Sequence, residues 1–127
     1  MEKKQKYNIS TSVNEDILEI IITGEITAVS IKKLQNEVIA ITKLINPQNV
    51  LVDVSALKGR FGFTEAYFRV RDYPADLPKV NVACVDLAEN AEYESFHENT
   101  SVNVGLSFKW FSDIDAARAW LKSKSKK

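Results

Sequence analysis

Apolar positions along the chain fall into two periods. Ile31, Leu34, Val38, Ile41 and Ile45 recur at spacings of 3, 4, 3 and 4, the stripe of an amphipathic helix. Lys32, Lys33, Gln35, Asn36 and Glu37 fill its other side. Thr27 is placed to cap this helix, and Asn46-Pro47 to stop it, because the residue before a proline is pushed out of the helical region. Upstream the period changes. Tyr7 to Val13 alternates loosely, and Ile17 to Thr23 is a β-branched run of the kind that forms a strand buried on both faces. Asn14-Glu15-Asp16 supplies turn residues between them. The two segments predict a hairpin, ended by Gly24.

The rest of the chain alternates. Asn49 to Val54 reads as a short strand with Asp53 near its end. Ser55 to Phe63 reads as a loop containing Gly59 and Gly62, and Thr64 opens a short helix to about Asp72. Pro74 and Pro78 fence a linker. Val80 to Val85 is a further strand, closed by Asp86. Glu89 to Asn103 carries Tyr93, Phe96 and Thr100 at helical spacing, with Asn103 and Gly105 suited to a helix C-terminus. Ser107 to Phe111 is a last strand. Ser112-Asp113-Ile114-Asp115 resembles a capping box before a helix built on Ala116, Ala117, Ala119, Trp120 and Leu121. The order ββαβαβαβα predicts one α/β domain with a mainly parallel sheet of about five strands, the first antiparallel, and about four helices. It spans residues 1–127, with a core over about 8–121 between lysine-rich tails at 1–6 and 122–127.

Composition removes chemistries from this picture. Seventeen Lys+Arg balance seventeen Asp+Glu, so there is no broad basic footprint for nucleic acid. One Cys, Cys84, and one His, His97, permit neither an intrachain disulfide nor a zinc cluster of those ligands. Apolar runs such as Ile20-Ile21-Ile22 are far too short to span a bilayer. The start of the chain lacks the apolar core of a signal peptide, and the expected location is the cytoplasm. No glycine loop matches a nucleotide-binding fingerprint.

The candidates for chemistry have simpler readings. Cys84, between Ala83 and Val85, reads as a buried hydrophobe, and Trp110, between Phe108 and Phe111, as a packing residue. His97 and Glu94 share a helical side, as a base and its orienting carboxylate would, but read as an exposed pair. Asp53 and Asp86 end strands at the sheet edge where α/β proteins bind ligands, and acids there also cap turns. Neither a catalytic set nor a metal or cofactor site is expected, and the chain reads as a non-enzyme.

The strand ending Leu51-Val52-Asp53-Val54-Ser55, the element order, Asn103-Val104-Gly105 and the stretch Phe111-Ser112-Asp113-Ile114-Asp115-Ala116-Ala117-Arg118-Ala119-Trp120-Leu121 together resemble the SpoIIAA-like STAS domains, over roughly Asn8 to Leu121. These are small bacterial relatives of the anti-sigma-factor antagonists. The resemblance implies sequential strands, helices mostly on one face, and a fold shared with the CRAL-TRIO lipid-transfer domains. It implies a regulatory or binding module. The family's phosphorylatable Asp-Ser-Ser-Gly motif is missing: this chain reads Arg60-Phe61-Gly62-Phe63-Thr64-Glu65, leaving Thr64 as the hydroxyl at the helix start and as a possible phosphoacceptor.

The expected working surface is therefore Asp53, Ser55, Arg60, Phe61, Phe63 and Thr64. Arg60 offers a charged fork beside two aromatics, and Thr64 a site where a helix dipole would favour phosphate. The expected partner is a protein; the alternative is a small apolar or lipid-like ligand held against Phe61, Phe63, Phe68 and Trp110. Helices crowded on one face would leave Ile21, Ala83 and Val85 on the other, which predicts a homodimer.

Overall fold

The computed structural model describes residues 6–27, 30–59 and 79–125. Strands β1 (Tyr7–Asn14) and β2 (Ile17–Glu25) form the expected hairpin. Its turn, Glu15 and Asp16, has φ of 52° and 67°, the two-residue geometry whose twist matches that of the flanking strands. Helix α1 (Ile31–Ile45) then returns the chain to β3 (Asn49–Asp53). At its start Thr27 and Ser30 bond reciprocally, the Thr27 N–H to the Ser30 Oγ at 3.0 Å and the Ser30 N–H to the Thr27 Oγ1 at 3.3 Å. At its end Asn46 turns left-handed, and its N–H reaches the Thr42 carbonyl at 2.8 Å. A two-residue strand, β4 (Leu57–Lys58), follows inside the segment expected to be a loop. After residues 60–78, β5 (Asn81–Val85), a 3₁₀ turn, α2 (Ala91–Asn103), β6 (Ser107–Phe111) and α3 (Ile114–Ser125) complete the order. The helix expected from Thr64 to Asp72 lies outside the described residues.

Among the described residues the sheet has six strands, where about five were expected. Its path is β1-β2-β3-β5-β6, with β1 antiparallel at one edge and the other neighbours parallel. The extra strand arises because β3 stops opposite Ile21, leaving Gly24 and Glu25 of β2 with open backbone groups. β4 takes those positions, in line with β3. Gly59 ends it at φ +99°, where a Cβ would sit 2.5 Å from the Ile26 carbonyl oxygen; no other residue type fits without a shift.

Strand alternation sends the apolar residues to both faces. On one, Leu18, Ile20, Ile22 and Val50 pack beneath Leu34, with Ile31, Val38 and Ile41 of the α1 stripe beside it. On the other, Ile17, Leu51, Ala83 and Val85 pack against Ala117 and Leu121 of α3. Two of the three described helices thus share a face and the third takes the opposite one. Ala83 and Val85 do lie on the side of Ile21, as expected, but α3 covers them; Ile21 alone is 40% exposed. The start of α3 also differs from the capping-box reading. The Asp113 carboxylate, not the Ser112 hydroxyl, accepts the Ala116 N–H at 3.0 Å.

Candidate functional site

The carboxyl ends of the parallel strands carry the expected acids. Asp53 closes β3, and its Oδ1 accepts both the Ser55 N–H at 3.0 Å and the Ser55 hydroxyl at 2.6 Å. Asp86 follows β5 almost fully buried, and its Oδ1 accepts the Leu87 N–H at 2.7 Å and the Asn90 amide at 3.0 Å. Both acids therefore shape the turns they begin. Among the described residues no group of three His, Cys, Asp or Glu side chains could hold a metal. Ser55 and the β4 strand fix the first half of the proposed working loop. Arg60, Phe61, Phe63 and Thr64 lie outside the described residues.

A second arrangement lies under α1 and α2. There a cavity of about 260 Å³ opens over the sheet, lined by aliphatic side chains of β2, β3, β5 and α1, such as Ile22, Val52, Val82 and Val38. Phe108 also lines it, whereas Trp110, expected there, does not. Trp110 is half-buried: its backbone N–H donates to Glu98 at 2.8 Å and its indole N–H to the Ser95 hydroxyl at 3.2 Å.

Most polar residues on this lining come from inward positions of the two helices, Gln35, Thr42, Glu94, His97 and Ser101, and Ser107 comes from β6. Glu94 is 3% exposed and accepts the Cys84 thiol at 3.7 Å. His97 packs edge-on to Phe108 at 4.8 Å and stacks on Tyr93 at 6.4 Å. The pair expected on the outside of its helix thus faces in. His97 meets Phe108 of the sheet, and Tyr93 and Glu94 line the cavity beside it. Cys84 is buried as expected, in hydrogen-bond contact with a carboxylate instead of beside a cation that would favour its thiolate. Among the described residues, two polar atoms at this level, Gln35 Oε1 and Ser101 Oγ, are buried with no hydrogen-bond partner.

The opposite face holds an ion pair that pattern did not suggest. Arg118 Nε and Nη2 donate to the two carboxylate oxygens of Glu19 at 2.8 and 3.0 Å. That hydrogen bonding, then the charges of Glu19, Asp115 and Asp53, holds the guanidinium pKa above its ordinary value, against partial desolvation. Glu19 sits inside the β-branched run of β2; a carboxylate in a strand buried on both faces was the available signal.

No family model matches the sequence, and no curated protein does. Solved structures do match. An anti-sigma factor antagonist from Mycobacterium paratuberculosis superposes with a TM-score of 0.60 at 16% identity, over 91% of this chain and 94% of that one. An uncharacterized protein of the DUF3478 family with a SpoIIAA-like fold, from Shewanella loihica PV-4, gives 0.58 at 19% identity, over 95% and 98%. The chain has a SpoIIAA-like fold.

Proposed function

We propose that this protein is a non-enzymatic regulatory module of the STAS type that works by binding another protein. The carrying observation is the fold together with the Asp53–Ser55 turn at the end of β3, on the sheet edge where α/β domains place binding sites. The anti-sigma factor antagonist among its structural neighbours supports a partner of that class. The one thiol is sequestered against Glu94, which speaks against nucleophilic chemistry. Thr64 is the hydroxyl through which phosphorylation would switch such binding, and the expected location is the cytoplasm.

A two-hybrid screen against the anti-sigma factors of the host tests this reading. The wild type should score with a defined partner, and the double change Arg60→Ala, Phe61→Ala should abolish the signal while leaving the melting temperature unchanged. Equal signals from wild type and variant would move the site elsewhere.

The cavity favours a second reading, a small apolar ligand. An apolar cavity of about 150 Å³ already stays dry and binds benzene, and this one is about 260 Å³. Native mass spectrometry of protein purified from its own host should then show a bound small molecule that Val38→Trp, which fills the space, expels. A bare mass for the wild type counts against it.

A further inference from the structure

We propose that the outer edge of β1 pairs with the β1 edge of a second copy, antiparallel about a two-fold axis through Thr11. This goes beyond the partner-binding reading and uses a different surface.

The hydrogen-bond phase of the hairpin dictates which backbone groups are available. The Glu25 N–H donates to the Lys6 carbonyl, and Asn14 faces Ile17 across the two-residue turn. Even-numbered residues of β1 therefore direct their N–H and C=O at β2. The odd ones direct theirs outward. Among the described residues no strand pairs with Ile9, Thr11 or Val13 on the outer side of β1. Natural edges of this length are usually blunted by lysine, proline or a bulge. Tyr7–Asn14 reads YNISTSVN, without charge or proline, and its register with β2 runs unbroken through all eight residues. Thr11 is exposed and Val13 is 62% exposed.

The strand is complementary to itself in one register. For two sheets to continue with matching faces, each outward residue must oppose an outward residue. Centring on Thr11 sets Thr11 against Thr11 and Ile9 against Val13, twice. Those three pairs each exchange two backbone bonds, about six in all. The exposed Val13 then gains an apolar neighbour, and facing threonines are a favourable cross-strand pair. On the other face Ser10 opposes Ser12 and Asn8 opposes Asn14. The same register brings Lys6 to the acidic turn, Glu15-Asp16, of the second copy. Centring one step earlier, on Ser10, would instead set Lys6 against Asn14 and lose its approach to the acidic turn. The α1 helices do not collide: the two β2 strands lie three strand spacings apart, about 14 Å, beyond the ~8–10 Å of packed helices.

Cross-linking of the full chain tests the register. Thr11→Cys places two thiols about 5.5 Å apart by Cα, inside the ~4.4–6.8 Å range of a disulfide. On mild oxidation it should give a disulfide-linked dimer on a non-reducing gel. Ile9→Cys should not, because its two copies lie four residues apart along the strands, about 13 Å. Wild type, whose one thiol is buried, is the background. In sedimentation the wild type should move toward twice the chain mass with concentration. Thr11→Lys, which sets like charges face to face on an exposed site, should stay monomeric with an unchanged circular dichroism spectrum. Equal cross-linking of Thr11→Cys and Ile9→Cys, or a wild type monomeric at millimolar concentration, overturns the proposal. So does a dimer that Thr11→Lys leaves intact.

Discussion

Replacing Arg118 by alanine isolates what Glu19 requires of α3. The Glu19 side chain is 8% exposed and receives two guanidinium bonds, the shorter at 2.8 Å. Breaking a fully buried pair from one side costs about 3–5 kcal/mol, since it strands a charge. An exposed pair contributes about 0–1 kcal/mol. The Arg118 side chain is 37% exposed, so water would reach the gap its removal leaves, and the expected loss falls between these limits, at about 2 kcal/mol. Arg118→Lys keeps the charge but not the fork, and should lose about half as much. The double change Glu19→Leu, Arg118→Met leaves no charge behind and should stay within about 1 kcal/mol of wild type, because apolar replacement of a buried pair is often neutral. Urea unfolding at neutral pH, analysed with a common slope, gives all four stabilities. Arg118→Ala within about 0.5 kcal/mol of wild type would place this pair with surface ion pairs. A double variant as unstable as Arg118→Ala would show that the loss is one of packing, not of an orphaned carboxylate.

Three further outcomes follow from burial, strain and titration. Leu121→Ala, at a fully buried position between α3 and the sheet, should cost about 2–5 kcal/mol in the same assay. Gly59→Ala forces a Cβ to 2.5 Å from the Ile26 carbonyl at a φ of +99°; a loss of about 1–3 kcal/mol is expected, and an unchanged midpoint would mean that β4 shifts freely. The Tyr7 hydroxyl is pushed up to about 12, first by burial and then by Glu37, while an unfolded tyrosine loses its proton near 10. The folded state therefore keeps a proton that the unfolded state has released. Stability from this group is intact below about pH 10 and disappears by about pH 12, and Tyr7→Phe should flatten that part of the stability curve.

Elements with a local cause were legible in the sequence; those with a distant cause were not. The α1 stripe, the Asn46 stop, the β6 bounds and the antiparallel first strand follow from spacing and turn chemistry within a few residues, and the structure places them as read. β4 has no pattern of its own. Two residues became a strand because β3 ends early and leaves part of β2 unpaired. The inward turn of Glu94 and His97 was hidden for a related reason. Their helix has no apolar stripe that marks one face, so only Phe108, eleven residues beyond His97, decides which side is inner.

Glu19 makes the sharper case. Its partner is 99 residues away, and no local pattern points there. The need for a partner was nevertheless written locally, since Ile17 to Thr23 reads as buried on both faces and a carboxylate cannot stay charged there without a cation and its hydrogen bonds. Of the later basic residues, arginine meets that need best, because its planar fork satisfies both carboxylate oxygens at once, and Arg118 lies on the helix that seals that face of the sheet. A charge stranded in an apolar run is thus a statement about tertiary structure. It says that some element must bring a cation to this strand, which α3 does from its seat over β3 and β5.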